Sequence, residues 1–186
     1  HGQPGHGAYP HVAIDPVPFM LEHGAPLNGQ PAGPSNSSTP VDGVLEGGVG
    51  FDLPQPEVRQ DSLRNPPLPI PDGVRRLYEA AASHYGVPWT LLAGVGMEET
   101  AHGRNTATST AGAQGLMQFM PATFAAYGVD GDGDGAADIH NRADSVYSAA
   151  NYLVASGVLN GPDGVKQALY AYNHTDWYVG DVLYYA

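Results

Sequence analysis

Two adjacent carboxylic acids, Glu98 and Glu99, close a run of apolar and small residues, Leu91-Leu92-Ala93-Gly94-Val95-Gly96-Met97. In a helix turning about 100° per residue, with Leu91 at zero, Leu92 falls near 100°, Val95 near 40°, Glu99 near 80° and Glu98 near 340°. An apolar stripe centred near 50° therefore contains Glu99 and leaves Glu98 toward its edge. Burial penalises the charged form of a carboxyl group and raises its pKa. An acid that stays protonated at neutral pH is what general acid catalysis requires. The other reading of the same pattern places Glu99 at the helix end, where the stripe meets water.

A second group of residues follows at 112–123, Gly-Ala-Gln-Gly-Leu-Met-Gln-Phe-Met-Pro-Ala-Thr. Gly112 and Gly115 can bring backbone donors and acceptors against a ligand, and the apolar run beside Gln114 and Gln118 can line a groove.

The third group is acidic. Asp130, Asp132, Asp134 and Asp138 stand at relative positions 1, 3, 5 and 9, with Gly135 at position 6 and Ala136 at 7. This spacing turns side-chain oxygens and the Ala136 carbonyl around a hard cation, with the glycine at the sharp bend, and calcium is the expected ion. At position 12 stands Asn141 in place of the bidentate Glu of an EF-hand. The loss of one charge and one oxygen lowers the affinity toward the calcium levels found outside cells. A solvated acidic turn is the alternative. The eight histidines show no paired metal-ligand spacing, and the chain has no cysteine, so neither a catalytic zinc site nor disulfides are expected.

These groups need elements to hold them. Val74, Leu77, Tyr78, Ala81 and Tyr85 recur at helical spacing until Gly86. A second helix is expected from Pro88 to about His102–Gly103, carrying the acids. A short helix follows Pro121, over Ala122–Tyr127. Asp144 is expected to cap Ser145–Ala155, Pro162 to open a helix through Tyr172, and Asp176 to cap a last one through Tyr184. No strand alternation of useful length occurs over 72–186, so this part is expected to be a mainly α domain. Residues 1–71 are dominated by Gly, Pro, Ser and Asn and cannot bury a core of their own; they are expected to form an extended or flexible N-terminal arm, with the boundary near Pro71 and a domain that folds without them.

Seven basic residues against 19 acidic ones give a net charge of −12, which excludes nucleic acid as a natural partner and disfavours anionic membrane surfaces. No apolar run approaches the roughly 20 residues that span a bilayer. No signal peptide is recognisable, and the start at His1 fits a processed form or a domain of a longer protein.

Several of these motifs occur together, in a fixed order, in one known family. Glu99-Thr100, then Gly115-Leu116-Met117-Gln118, Met120-Pro121-Ala122-Thr123 and finally Ala171-Tyr172-Asn173 resemble the catalytic domain of soluble lytic transglycosylases, related to goose-type lysozymes. The resemblance covers about residues 72–186 and implies a lysozyme-like helical domain. It implies Glu99, the acid that precedes a hydroxyl residue, as the catalytic group, with Thr100 where the family has Ser. It also implies a groove with Thr100, Gln114, Gly115, Met117, Gln118, Tyr172 and Asn173 as substrate-binding residues. Read without the resemblance, Tyr172 is a core aromatic, Asn173 a helix C-cap, and Gln118 an inward-turned amide that satisfies backbone groups. The implied substrate is peptidoglycan glycan strands, cleaved between N-acetylmuramic acid and N-acetylglucosamine with a 1,6-anhydro product. A hydrolytic muramidase and a non-catalytic glycan-binding or virion module are the alternatives. Such a substrate places the protein outside the cell, in the cell envelope, or on a phage.

Overall fold

The structure is a computed structural model that describes residues 53–186; expectations for residues 1–52 lie outside the described residues. Six α-helices follow a 3-10 turn over Asp61–Leu63: α1 (Asp72–Tyr85), α2 (Trp89–Thr100), α3 (Pro121–Tyr127), α4 (Arg142–Ala155), α5 (Gly161–Tyr172) and α6 (Asp176–Tyr185). Among the described residues the only ladder-like pairing is an isolated bridge between Gln114 and Phe119. The mainly α expectation is met.

Helix α2 occupies the centre, with α1, α4 and α6 packed around it. Every residue from Leu91 to Glu98 is buried, so this helix has no solvent face. That corrects the edge position expected for Glu98, because a helix wrapped on all sides has no edge. The helix also ends earlier than expected. Ala101 and His102 adopt left-handed backbone angles, with φ of 52° and 59°, and stop α2 at Thr100. Around α2 the core gathers Val74 and Tyr78 of α1, Leu116 and Phe119 of the loop, Tyr152 and Leu153 of α4, Leu169 of α5 and Val182 of α6.

Two caps differ from expectation. Helix α4 begins at Arg142, and Asn141 caps it by accepting from the amides of Ala143 (2.8 Å) and Asp144 (3.4 Å). Asp144 lies within the first turn, fully buried, and its carboxylate is turned back onto the acidic loop. Asp176 likewise sits in the first turn of α6 behind Thr175 at the N-cap, where its charge suits the helix dipole without a capping bond.

Residues 53–71, grouped with the arm by composition, lie against the helices as a strap. Leu53 and Ile70 pack on the core and Ser62 is buried. The fastening point is Asp181 of α6, wholly inaccessible to solvent, whose carboxylate accepts from the backbone amides of Gln60 (3.0 Å), Asp61 (2.8 Å) and Ser62 (3.2 Å) and from the Ser62 hydroxyl. A carboxylate caps the 3-10 turn here from another element. The preceding residue, Gly180, lets the strap approach: a Cβ there would lie 1.6 Å from the Val58 carbonyl oxygen. Further along, Tyr185 donates to the Asn65 carbonyl (2.7 Å), Arg104 donates to the Pro69 carbonyl (2.7 Å), and the Arg59 guanidinium lies 3.9 Å from the centre of the Tyr184 ring.

Candidate active site

Glu99 projects from the last turn of α2 and is half-buried. Its Oε1 accepts a 2.7 Å hydrogen bond from the Tyr178 hydroxyl of α6. Burial pushes its pKa up to about 8, against the opposing effect of the Tyr178 hydrogen bond. Glu98 is the more deeply buried of the pair, 6 % exposed, and its pKa is pushed up to about 9 by burial first and then by the negative charges of Asp181, Glu99 and Asp61. Both acids therefore carry their protons at neutral pH. Only Glu99 pairs a raised pKa with partial access to solvent.

The two acids share a small pocket with Asn65 of the strap, Ala101 and Asn105 after α2, and Tyr185 of α6. A larger cavity of about 410 Å³ lies between the strap and α5–α6, lined by Gln55, Val58, Lys166 and Tyr170 among others, and includes neither acid.

The loop 112–120 is mostly buried and is tied to the end of α2 rather than extended into open solvent. Thr100, 2 % exposed, donates from its hydroxyl to the Leu116 carbonyl (2.7 Å) and accepts from the Gly103 amide (2.9 Å). The Thr100 hydroxyl thus ties the end of α2 to the loop, and the residue also lines the small pocket of the two acids. Gly115 has φ of 78°, and a Cβ there would stand 2.1 Å from the Ile139 carbonyl oxygen. Gln118 holds the loop closed from inside. It is 8 % exposed with φ of 50°, and its amide donates to the Gly115 carbonyl (3.0 Å) and to the Ala107 carbonyl (3.4 Å). A non-glycine residue in this conformation costs on the order of 1 kcal/mol, which the buried amide contacts offset.

Met117 is fully buried; its amide donates to the Ser145 hydroxyl (3.1 Å), and its carbonyl accepts from the Tyr172 hydroxyl (2.9 Å). Tyr172 lies nearly parallel to Tyr178, 7° between planes, and the nearby Glu99 charge, after burial, helps to raise its pKa well above the ordinary value. Asn173 is 3 % exposed at the C-cap of α5, with its side-chain Oδ1 accepting from the Thr175 hydroxyl. Of the residues assigned to sugar binding, Thr100, Met117, Gln118, Tyr172 and Asn173 are thus buried supports whose polar atoms face protein. Gln114 alone of the side chains in that set is partly exposed. Gln118 satisfies backbone groups, Tyr172 packs among core aromatics and Asn173 stands at the helix C-cap, the places their residue types alone suggest.

The acidic loop brings together Asp130, Asp132 and Asp144, with one carboxylate oxygen of each within 4.8 Å of the others. Asp144 accepts from the amides of Gly131 (2.7 Å) and Asp138 (2.8 Å). The Asp130 carboxyl is held below its usual pKa, chiefly by the Gly135 amide. Asp134 and Asp138 instead accept from Ala136 and His140 amides of their own stretch, 2.9 Å and 2.8 Å away, and stand outside the group. Asn141 donates its side-chain amide to Asp132 (2.7 Å).

Sequence reasoning does not single out Tyr178, Asp181, Asn65 or Ser145, and it counts Asp144 among the crowded acids of a solvated loop or cation site without naming it a ligand. Tyr178 is 79 positions from Glu99, and no local pattern relates the two. Asp144 did carry a signal, since it is acidic and near the loop, but that charge was assigned to a cap.

Comparison with known proteins agrees with the resemblance. Residues 105–167 match the sequence profile of the Transglycosylase SLT domain family. Over 57 residues the chain is 42 % identical to membrane-bound lytic murein transglycosylase B of Escherichia coli (strain K12), a stretch that makes up 31 % of this chain and 16 % of that protein. The chain therefore spans a small part of that relative's length, and Glu99 precedes the segment matched by the profile. In fold it is similar to an Escherichia coli lytic transglycosylase solved in complex with calcium, with a TM-score of 0.54 at 18 % identity over 61 % of this chain and 69 % of the other. A structure of that Escherichia coli transglycosylase with bulgecin A gives a TM-score of 0.52 at 16 % identity, over 67 % and 79 % of the two chains. The lysozyme-like helical fold expected from the motifs is the fold observed.

Proposed function

Starting from this likeness to lytic transglycosylases, we propose that the protein cleaves the β-1,4 bond between N-acetylmuramic acid and N-acetylglucosamine in peptidoglycan, with Glu99 as the catalytic acid. The observation that carries the reading is a half-buried carboxylic acid, held by Tyr178 and kept protonated near neutral pH, that lines a small pocket. Glu99 gives its proton to the bridging oxygen as the bond from that oxygen to the muramic acid C1 breaks, and the oxocarbenium-like centre is met by the sugar's own acetamido oxygen. The Glu99 carboxylate then takes the proton of the muramoyl 6-hydroxyl while that oxygen bonds to C1, which releases the acetamido oxygen and gives a 1,6-anhydro end. Glu98 does not serve as nucleophile in this scheme, because burial and neighbouring charge keep it neutral.

The experiment is digestion of purified peptidoglycan followed by mass spectrometry. Anhydro ends, lighter by one water than reducing ends, support the transglycosylase reading. Reducing ends would replace it with a hydrolytic muramidase, and the absence of turnover in the presence of binding would leave a non-catalytic glycan-binding or virion module. Peptidoglycan as substrate places the protein in the cell envelope or outside the cell; no helix of the described residues is long and apolar enough to cross a membrane.

The acidic loop is read as a structural calcium site. Three carboxylates converge there, none of them ion-paired to Lys or Arg among the described residues, and one of them, Asp144, is fully buried. An all-oxygen donor set of this kind fits a hard cation. Asp130, Asp132 and Asp144 would hold it, with Asp134, Asp138 and the Ala136 carbonyl able to join by turning inward. Calcium would supply charge balance to the loop and no chemistry to the cleavage.

A further inference from the structure

The strap brings Asn65 to the wall of the pocket of the two acids. Asn65 is partly buried and lines that pocket with Glu98, Glu99 and Tyr185. Its backbone is committed at both ends: the amide donates to the Asp61 carbonyl (2.9 Å), and the carbonyl accepts from the Tyr185 hydroxyl (2.7 Å). Its side-chain carboxamide makes no hydrogen bond to the described residues. The position is fixed from three sides, by the Asp181 clamp on residues 60–62, by Tyr185 on Asn65 itself, and by Arg104 on Pro69. Arg104 also donates to the carbonyl of Ala101, so the same side chain ties the strap to the turn that follows the catalytic helix.

A primary amide offers one acceptor and two donors in a plane. An acetamido group presents the complementary pair, one N–H and one carbonyl, so the two can exchange two hydrogen bonds. We propose that Asn65 is a substrate-contacting residue that binds the N-acetyl group of an amino sugar seated beside Glu99, which makes the strap part of the active site. This rests on the reading of the pocket as a glycan site. It adds a specificity determinant that comes from outside the helical domain as composition defines it. The groups already in the pocket suit the role: two protonated acids leave it without net charge at neutral pH, and a neutral amide neither disturbs their protons nor repels a neutral sugar.

The test uses the full chain and two readouts. In calorimetric titrations, Glu99→Gln is given the trimer of N-acetylglucosamine and the same trimer with its acetyl groups removed. Addition of Asn65→Ala to Glu99→Gln should weaken binding of the acetylated trimer by about tenfold, the loss expected for one good hydrogen-bonding partner, and should shrink the preference for it over the deacetylated one. In turnover of soluble peptidoglycan strands, Asn65→Ala alone should raise KM by a similar factor, with kcat changed little and the melting temperature unmoved, while Asn65→Gln, which keeps the amide, should recover part of the loss. Unchanged affinity and unchanged acetyl preference in the Asn65→Ala background would overturn the proposal, as would failure of the parent protein to bind the acetylated trimer at all. If the protein binds the trimer through Asn65 but cleaves nothing, the proposed catalytic function fails and the assignment of Asn65 stands.

Discussion

At the scale of single residues, the proposed chemistry separates two neighbouring acids that differ in access rather than in charge. Replacement of Glu99 by Gln removes the transferable proton and keeps the shape, so cleavage should fall by at least about 100-fold while the melting temperature holds or rises. Glu98→Gln should keep most of the activity, because Glu98 is already neutral at pH 7 and Gln preserves its form; equal losses in both variants would count against Glu99 as the acid. The same pair sets a pH dependence. Both folded-state pKa values, about 8 and about 9, lie above the ordinary 4.5, so as pH rises the unfolded chain releases these protons first. Their contribution to stability is full below pH 4.5 and is lost progressively up to about pH 8 to 9. His102 and His174, whose pKa values are lowered from 6.5 by burial, act in the opposite sense and only below that value. Thermal melts from pH 6.5 to 9 should therefore show a falling melting temperature, with a shallower slope in Glu98→Gln. Cleavage by the wild type should decline as pH passes about 8, where Glu99 loses its proton.

At the scale of elements, the strap is the piece most at odds with composition. Because Asp181 gathers three amides and a hydroxyl from residues 60–62, a chain beginning at residue 53 should melt like the full protein. A chain beginning at residue 72 should lose at least about 2 kcal/mol, or roughly 8 °C, and bind glycan more weakly. Equal melting of the two truncated chains would show that the clamp contributes nothing and that the domain is complete from Asp72. The helices themselves were legible, since Val74, Tyr78, Ala81 and the Pro88, Pro121 and Pro162 starts are local signals written in spacing and backbone restriction. Glu99 was legible as a candidate through the hydroxyl residue after it and the motifs that follow, and not through the stripe, since the structure buries Glu98 more deeply than Glu99. What the sequence did not disclose is everything that depends on contacts distant along the chain: Tyr178 on Glu99, Asp181 under the strap, and the burial of Glu98 by elements on every side. The caps failed for a related reason. Asp144 and Asp176 each have the right type for a cap, but Asn141 and Thr175 occupy the N-cap positions, three residues and one residue earlier, and a propensity cannot say which of two candidates already lies inside the helix.

At the scale of the whole molecule, the acidic loop and the helix that carries Glu99 are joined through a short relay. Gly115 packs against the Ile139 carbonyl at the end of the acidic loop, and Ser145, next to Asp144, holds the amide of Met117, whose carbonyl in turn holds Tyr172. Calcium should accordingly raise the melting temperature, by roughly 2.7 kcal/mol of added stability when free ion is about 100 times its dissociation constant. Asp132→Ala combined with Asp134→Ala should erase that rise and leave cleavage measurable at temperatures where the metal-free protein is folded. A double variant that keeps the rise would move the ion elsewhere, and one that is folded but inactive would show that the relay carries more than stability.

The same relay ends in an aromatic chain that crosses the molecule. Tyr178 touches Glu99, lies parallel to Tyr172, and Tyr172 meets Tyr152, which meets Tyr127, with centroid separations of 6.3, 5.5 and 5.0 Å. Four chromophores are thus lined up from the acid into the core, and the first of them shares a hydrogen bond with the group proposed to transfer its proton. Ionisation of Glu99 strengthens that bond and places a charge beside the ring, which shifts tyrosine absorption. The protein consequently contains its own optical indicator: a difference spectrum near 280–290 nm, on the order of the usual tyrosine shift, should follow the proton of Glu99 through about pH 8 and vanish in Glu99→Gln, so that the state of the acid can be watched without substrate or label.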